Sequence, residues 1–177
     1  MRVTPNSLGA IAVTAAGIGY LVFRNRSTLR IRGGFSGYNR VRDIMTRDAR
    51  CCTQDTPLVD VARMMVEGNC GEIPVVDSFT HLRPIGVITD RDIVCRVIAQ
   101  RRNPVELCAD ACMSTPVITI HQHALIQDCL RLMEENKIRR IPVVDRQGRI
   151  CGIVSQADIA RVLSVRQVGE FYEHVAA

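Results

Sequence analysis

Thr89 and Asp92, Ser155 and Asp158, and the adjacent pair Arg139 and Arg140 are the residues of this chain whose types and spacing suit them to hold a polar ligand. Thr89-Asp90-Arg91-Asp92 and Ser155-Gln156-Ala157-Asp158 are both Ser/Thr-x-x-Asp sequences at the head of an apolar helical pattern. Taken alone, such a sequence is a capping box, in which the hydroxyl accepts from a backbone N–H and the acid reaches back to the capping residue. The same turn leaves helical N–H groups and a positive dipole end facing outward, so a cap is compatible with binding a hydroxyl or an anion. Arginine adds a planar donor fork that suits phosphate. The sequence has no nucleophile elbow, phosphate loop or His/carboxylate cluster beside these residues, which points to binding without catalysis.

The elements that must position them are short and recur. Ile138 to Asp145 and Ile150 to Val154 are runs rich in β-branched residues, separated by Arg146-Gln147-Gly148-Arg149, and are expected to form a hairpin that feeds the Ser155 helix. An earlier copy runs Ile73-Pro74-Val75-Val76-Asp77, then Ile85-Gly86-Val87-Ile88, then Thr89-Asp90-Arg91-Asp92. Met45 to Met113 and Pro74 to Pro142 are each 68 positions apart, whereas Gly86 to Gly152 and Asp92 to Asp158 are each 66 apart. The length change therefore falls in the hairpin turn, where a structural repeat tolerates it. A repeat of this length present twice predicts two subdomains packed on each other, not a solenoid.

Around the hairpins the order repeats. Extended pieces are expected at Cys51 to Thr53 and Val117 to Ile120, with Val41 to Met45 opening the first copy. Helices follow, one from Thr56-Pro57 with Leu58, Val61, Ala62, Met65 and Val66 on a face, the other with Leu125, Ile126, Cys129, Leu130 and Met133. Each unit is thus strand, helix, strand, strand, helix. Such a unit buries too little surface alone, so the fold class is α/β with two β-α-β-β-α units packed as a pair.

Composition bounds the remaining functions. Of 177 residues, 47% are apolar and 23% charged, which excludes a chain disordered throughout. The net charge of +5 suggests nucleic acid, but residues 1–50 alone carry nine Arg against Asp43 and Asp48. The remainder is slightly acidic, so no nucleic-acid partner is expected. The eight cysteines contain no C-x-x-C, and Cys108 and Cys112 lack a second ligand pair at zinc-finger spacing, so no metal is expected. Cys95, Cys129 and Cys151 stand where Val or Leu would fit and are expected to be buried thiols. His121 and His123 are expected on a solvated loop.

Before the repeats, Leu8 to Phe23 is free of charge and is followed by Arg24, Arg26, Arg30 and Arg32. As a helix it would rise about 24 Å against a hydrocarbon core of about 30 Å, a marginal span. A signal peptide would need a neutral segment after the run, and a transit peptide would need Arg within it. An uncleaved membrane anchor holding the rest on the cytoplasmic side is the expectation, with a flexible apolar leader as the alternative. Arg32-Gly33-Gly34 and the residues to Arg40 form a linker. The expected division is 1–40 for segment and linker, 41–102 and 103–164 for the two units, and 165–177 for a helical tail.

Helix, "Ile-Pro-Val-Val-Asp", hairpin and "Gly-Ile-Val-Ser-x-x-Asp" together resemble the CBS domain, named for cystathionine beta-synthase, in its usual tandem pair, over about residues 41–164. The resemblance implies a pseudo-two-fold pair whose cleft binds an adenosine ligand: AMP, ADP, ATP or S-adenosylmethionine. It implies that Asp92 and Asp158 hold ribose hydroxyls beside Thr89 and Ser155, and that residues before "Ile-Pro-Val-Val-Asp" reach phosphates. It also implies a homodimer built on the Asp92 and Asp158 helices, with Val162, Leu163, Val165 and Val168 extending the second. The expected function is a non-catalytic regulatory module that signals to a partner protein. The alternatives are a ligand-free dimerisation scaffold and a thiol sensor at Cys51-Cys52. Because Arg139-Arg140 matches Gly71-Glu72, the Ser155/Asp158 site is expected to take the phosphorylated ligand and the Thr89/Asp92 site a less anionic one.

Overall fold

The computed structural model describes residues 40–162. The apolar run at 8–23, the linker up to residue 39 and the tail from residue 163 lie outside the described residues. No helix among the described residues is long and apolar enough to cross a membrane.

The first repeat contributes β2 (Cys52–Thr53), α1 (Leu58–Gly68), β3 (Glu72–Val76), β4 (Pro84–Thr89) and α2 (Asp90–Ile93), which continues as a π-helical segment, Val94–Ile98. The second contributes β5 (Ile120–His121), α3 (Ile126–Asn136), β6 (Arg140–Val144), β7 (Ile150–Ser155) and α4 (Gln156–Ala160). In each, a short strand pairs parallel with the middle strand, which pairs antiparallel with the third. The repeats differ in the turn: Asp77 N–H donates to the Arg83 carbonyl in one, and Asp145 N–H to the Arg149 carbonyl in the other. This is the two-residue difference visible in the spacings.

The helices form because their apolar residues recur at helical period and bury one stripe. Leu58, Val61 and Met65 are buried from α1, and Ile126, Cys129, Leu130 and Met133 from α3. Each helix ends on a residue in the left-handed region, Asn69 at φ 45° and Lys137 at φ 53°, whose N–H caps the last carbonyls. Buried β-branched residues of the middle strands, Ile73, Val75 and Val76 against Ile141, Val143 and Val144, complete each core. Removing such side chains from water, at about 25 cal/mol per Å², is what stabilises the packed pair.

The start of each repeat joins the sheet of the other. Val41–Asp43 is a 3-10 turn, and β1 (Thr46–Arg47) pairs antiparallel with β7, in the sheet of the second repeat. The sheet orders are therefore β1-β7-β6-β5 and β2-β3-β4. The exchange is reciprocal. Val41 and Arg42 N–H donate to the carbonyls of Ala124 and Gln122, while Ala109 and Asp110 N–H donate to those of Thr56 and Gln54. Ser114, the match of Thr46, bridges Val87 just as Thr46 pairs with Ile153. Ala109 and Cys112 are accordingly buried in the core of the first repeat. The reason is hydrogen-bond demand: the outer edges of β4 and β7 would otherwise stand open, and each leader covers the edge it can reach.

Gly86 and Gly152 record the closeness of this exchange. A Cβ on Gly152 would lie 2.6 Å from the Thr46 carbonyl oxygen, and one on Gly86 would lie 3.1 Å from that of Ser114. Smaller corrections concern residues 117–119, which precede the strand expected there, since β5 begins at Ile120 where pairing with Val143 begins. Leu125 is exposed at the start of α3, before its buried stripe begins. Cys95 is exposed on the outer face of the π-helical segment, whereas Cys129 is buried and Cys151 half-buried. His121 lies in β5, and both His121 and His123 are half-buried.

Candidate functional site

Both Ser/Thr-x-x-Asp sequences form complete capping boxes. Thr89 Oγ1 accepts from the Asp92 N–H at 3.1 Å, and Asp92 Oδ2 accepts from the Thr89 N–H at 2.9 Å and its hydroxyl at 2.7 Å. Ser155 and Asp158 repeat this at 3.2, 2.8 and 2.6 Å. The two acids differ in what remains of them. Asp92 Oδ1 meets Arg96 at 3.2 Å and its side chain is 14% exposed; Asp158 Oδ1 is held by Arg161 and its side chain is 6% exposed. A carboxylate offers about four acceptor positions, so each retains one, and that of Asp92 is the more accessible.

A cleft of about 500 Å³ runs between the two repeats. Its first wall is Gly71 and Glu72 at the start of β3 with Thr89, Asp90, Arg91 and Asp92 at the turn into α2. Lys137, Ile138, Arg139 and Arg140, leading into β6, line the cleft from the second repeat, as do Ser114 and Pro116 to Ile118. The left-handed turn at Lys137 directs this stretch into the cleft, with Ile138 N–H anchored on the Met133 carbonyl.

The cleft thus brings Thr89, Asp92, Arg139 and Arg140 together, while Ser155 and Asp158 are not part of its lining. This redistributes the residues that the sequence assigned to two sites. Along the backbone Arg140 is opposite Ser155 in the β6/β7 register, as sequence proximity suggests. Across the pair, both arginines line the space in front of Thr89 and Asp92. The acidic groups, Glu72, Asp90 and Asp92, all come from the first repeat, and of the basic groups Lys137, Arg139 and Arg140 come from the second and Arg91 from the first.

Sequence reasoning placed neither Asp90 nor Lys137 here. Asp90 lies against the backbone of Gly71, whose carbonyl accepts from the Asp90 N–H at 3.2 Å, and a Cβ on Gly71 would be 2.8 Å from Asp90 Oδ2. The left-handed position after a helix was the available signal for Lys137. Glu72 is 8% exposed, and its Oε1 is buried without a hydrogen-bond partner. Burial pushes its carboxyl up to about 7, Asp92 adds to the rise, and Arg140 opposes it. The thiols of Cys51 and Cys52 are also raised by burial, Cys52 to about 12, which suppresses the reactive thiolate.

The fold defines a tandem pair of small α/β units with a cleft between them. The chain belongs to the CBS domain family, whose model matches residues 41–98 and 108–165. An uncharacterized protein of Methanopyrus kandleri, MK0525, is 36% identical over 122 residues; the match covers 69% of this chain and 61% of that protein. Hypoxic response protein 1 of Mycobacterium tuberculosis is 32% identical over 136 residues, 77% of this chain and 93% of that protein. A crystal structure of Hypoxic Response Protein I with two coordinated zinc ions aligns at a TM-score of 0.63 and 35% identity, over 71% of this chain and 99% of that one. The CBS pair of protein MJ0100, in complex with 5′-methylthioadenosine and S-adenosyl-L-methionine, aligns at 0.62 and 28% identity, over 69% and 93%. Among the described residues no group of three or more His, Cys, Asp or Glu could hold a metal ion.

Proposed function

We propose that the chain is a non-catalytic regulatory module that binds an adenosine ligand in the cleft between its CBS domains and transmits occupancy to a partner protein. The observation that carries this is the convergence, in one cleft, of the Thr89/Asp92 cap from one repeat and Arg139/Arg140 from the other. The remaining acceptor of Asp92 suits a ribose hydroxyl, the two guanidinium groups suit a 5′-phosphate, and the cleft volume lies in the range of small-ligand sites. The adenosyl ligands in the MJ0100 complex support the ligand class. Because the cleft is walled by both repeats, a bound ligand would change how they sit against each other, which gives a partner something to read.

The Ser155/Asp158 pair is proposed as a second, less accessible site. A homodimer is proposed through the α2 side of the pair, where Val94 and Ile98 are 56% and 53% exposed. Placement at the cytoplasmic face of a membrane, through residues 8–23, belongs to the same proposal. The raised thiols of Cys51 and Cys52 favour this reading over a thiol sensor.

Isothermal titration of the full chain with AMP, ATP and S-adenosylmethionine tests the reading. Asp92→Ala is expected to abolish binding in this cleft. Arg139→Ala with Arg140→Ala is expected to weaken AMP by roughly 2 to 4 kcal/mol and adenosine hardly at all. Absence of heat for every adenosine ligand would leave the ligand-free scaffold as the function, and equal losses for AMP and adenosine would remove the arginines from the phosphate role.

A further inference from the structure

Glu72 occupies, in β3, the position that Arg140 occupies in β6, and both line one cleft. It is the only acidic side chain among the described residues that is buried with an oxygen lacking any hydrogen-bond partner. Leaving a buried acceptor unmade is unfavourable, and Glu72 stands beside an otherwise apolar strand, so an arrangement of this kind calls for a group that arrives from outside. The cleft is where such a group would enter.

The charges around Glu72 come from several elements. Arg140 on β6 and Asp92 on α2 act on it directly. Asp90, Arg91, Lys137 and Arg139 line the same cleft. Thr89, its partner across β4, and Cys52 and Thr53 of β2 bring no cation. On α1, Arg63 pairs with Asp60 and Glu67 pairs with Arg50. Of these cations, Arg140 is the one whose charge bears on the Glu72 carboxyl.

We infer that Glu72 selects the charge of the ligand in this cleft: as a carboxylate it competes with a ligand phosphate for Arg140, and as the neutral acid it releases Arg140 to that phosphate. The inference rests on the reading of the cleft as an adenosine site. Its chemistry is a proton uptake coupled to anion binding, with the proton drawn from solvent onto the Glu72 carboxyl. The folded-state carboxyl is raised to about 7, so the competent neutral form is present below that pH and is lost as pH rises through it. A neutral adenosine ligand has no phosphate to be displaced and is indifferent to the change. A cationic adenosyl sulfonium is favoured by the ionised form.

Titrations of the full chain with adenosine 5′-phosphate methyl ester and with adenosine, at about pH 6 and about pH 8, decide the matter, because neither probe changes its own charge over that range. Affinity for the ester is expected to fall about tenfold between the two conditions, and that for adenosine to stay constant. Glu72→Gln, an uncharged isostere, is expected to bind the ester at about pH 8 as the unaltered chain does at about pH 6. If that variant fails to fold, Arg140→Gln serves instead: it should bind the ester weakly and equally at both pH values. An unchanged tenfold fall in either variant, or no fall in the unaltered chain, would overturn the inference. No binding of either probe at about pH 6 would overturn the adenosine reading on which it rests.

Discussion

Two acids at matched positions, Asp92 and Asp158, show how little of a residue's role its motif decides. Both complete a capping box, and the family resemblance implies a ribose-binding role for both. Asp158 is buried, and its carboxylate is engaged by the backbone and hydroxyl of Ser155 and by Arg161. Asp158→Ala is therefore expected to cost about 1 to 3 kcal/mol, because it deletes the cap and strands donors in a half-buried site. Urea denaturation of the full chain checks this, and a midpoint equal to that of the unaltered chain would show the box to be dispensable. Glu72 illustrates the converse. Its sequence neighbours identify it only as a charge before an apolar strand, whereas its partnerless oxygen and its place in one cleft with Arg140 emerge once the repeats are packed.

At the scale of elements, the leaders that cover β4 and β7 are bound through backbone contacts that only glycine allows. Gly152 meets the Thr46 carbonyl and the sulfur of Met45, at 2.6 and 2.9 Å from where a Cβ would lie. The corresponding values at Gly86 are 3.1 Å to both Ser114 and Met113. Met45 can move its flexible end, but the Thr46 backbone cannot move without leaving the sheet. Gly152→Ala is expected to destabilise by roughly 1 to 3 kcal/mol and Gly86→Ala by less. Thermal unfolding of the two variants side by side gives the order, and the reverse order would mean that the β1/β7 contact yields more easily than its geometry implies.

For the whole molecule, the exchange makes the two repeats a single cooperative object. The segment that precedes the first repeat completes the sheet of the second, and Val41 is fully buried through contacts that include the Ala124 carbonyl. A fragment that starts at Arg50 lacks Val41 and Thr46-Arg47 while keeping every residue of the second repeat. It is expected to expose the β7 edge, so that brief proteolysis cuts first within residues 120–160 and the fragment associates more readily than the full chain. Cleavage confined to the first repeat would refute this picture. The same wholeness supports the proposed signal, because a ligand held by Asp92 and Arg140 touches both halves of one unit.

By itself the sequence determined that there are two copies, where their hairpins turn, the buried stripes of α1 and α3 apart from Val66 and Leu125, which are exposed, and that both Ser/Thr-x-x-Asp turns cap helices. These properties are local: they depend on apolar periodicity, on capping chemistry and on spacings of 68 and 66 that isolate a length change in a turn. Only the tertiary structure decided which strand each leader joins, that Arg139 and Arg140 share a cleft with Thr89 and Asp92, and that Glu72 lines that cleft with Arg140. The physical reason is that a repeat makes matched residues equivalent without saying which copy closes which edge. Backbone groups at β4 and β7 demanded partners, the leaders of the opposite repeats supplied them, and the shared lining of the cleft followed from that packing.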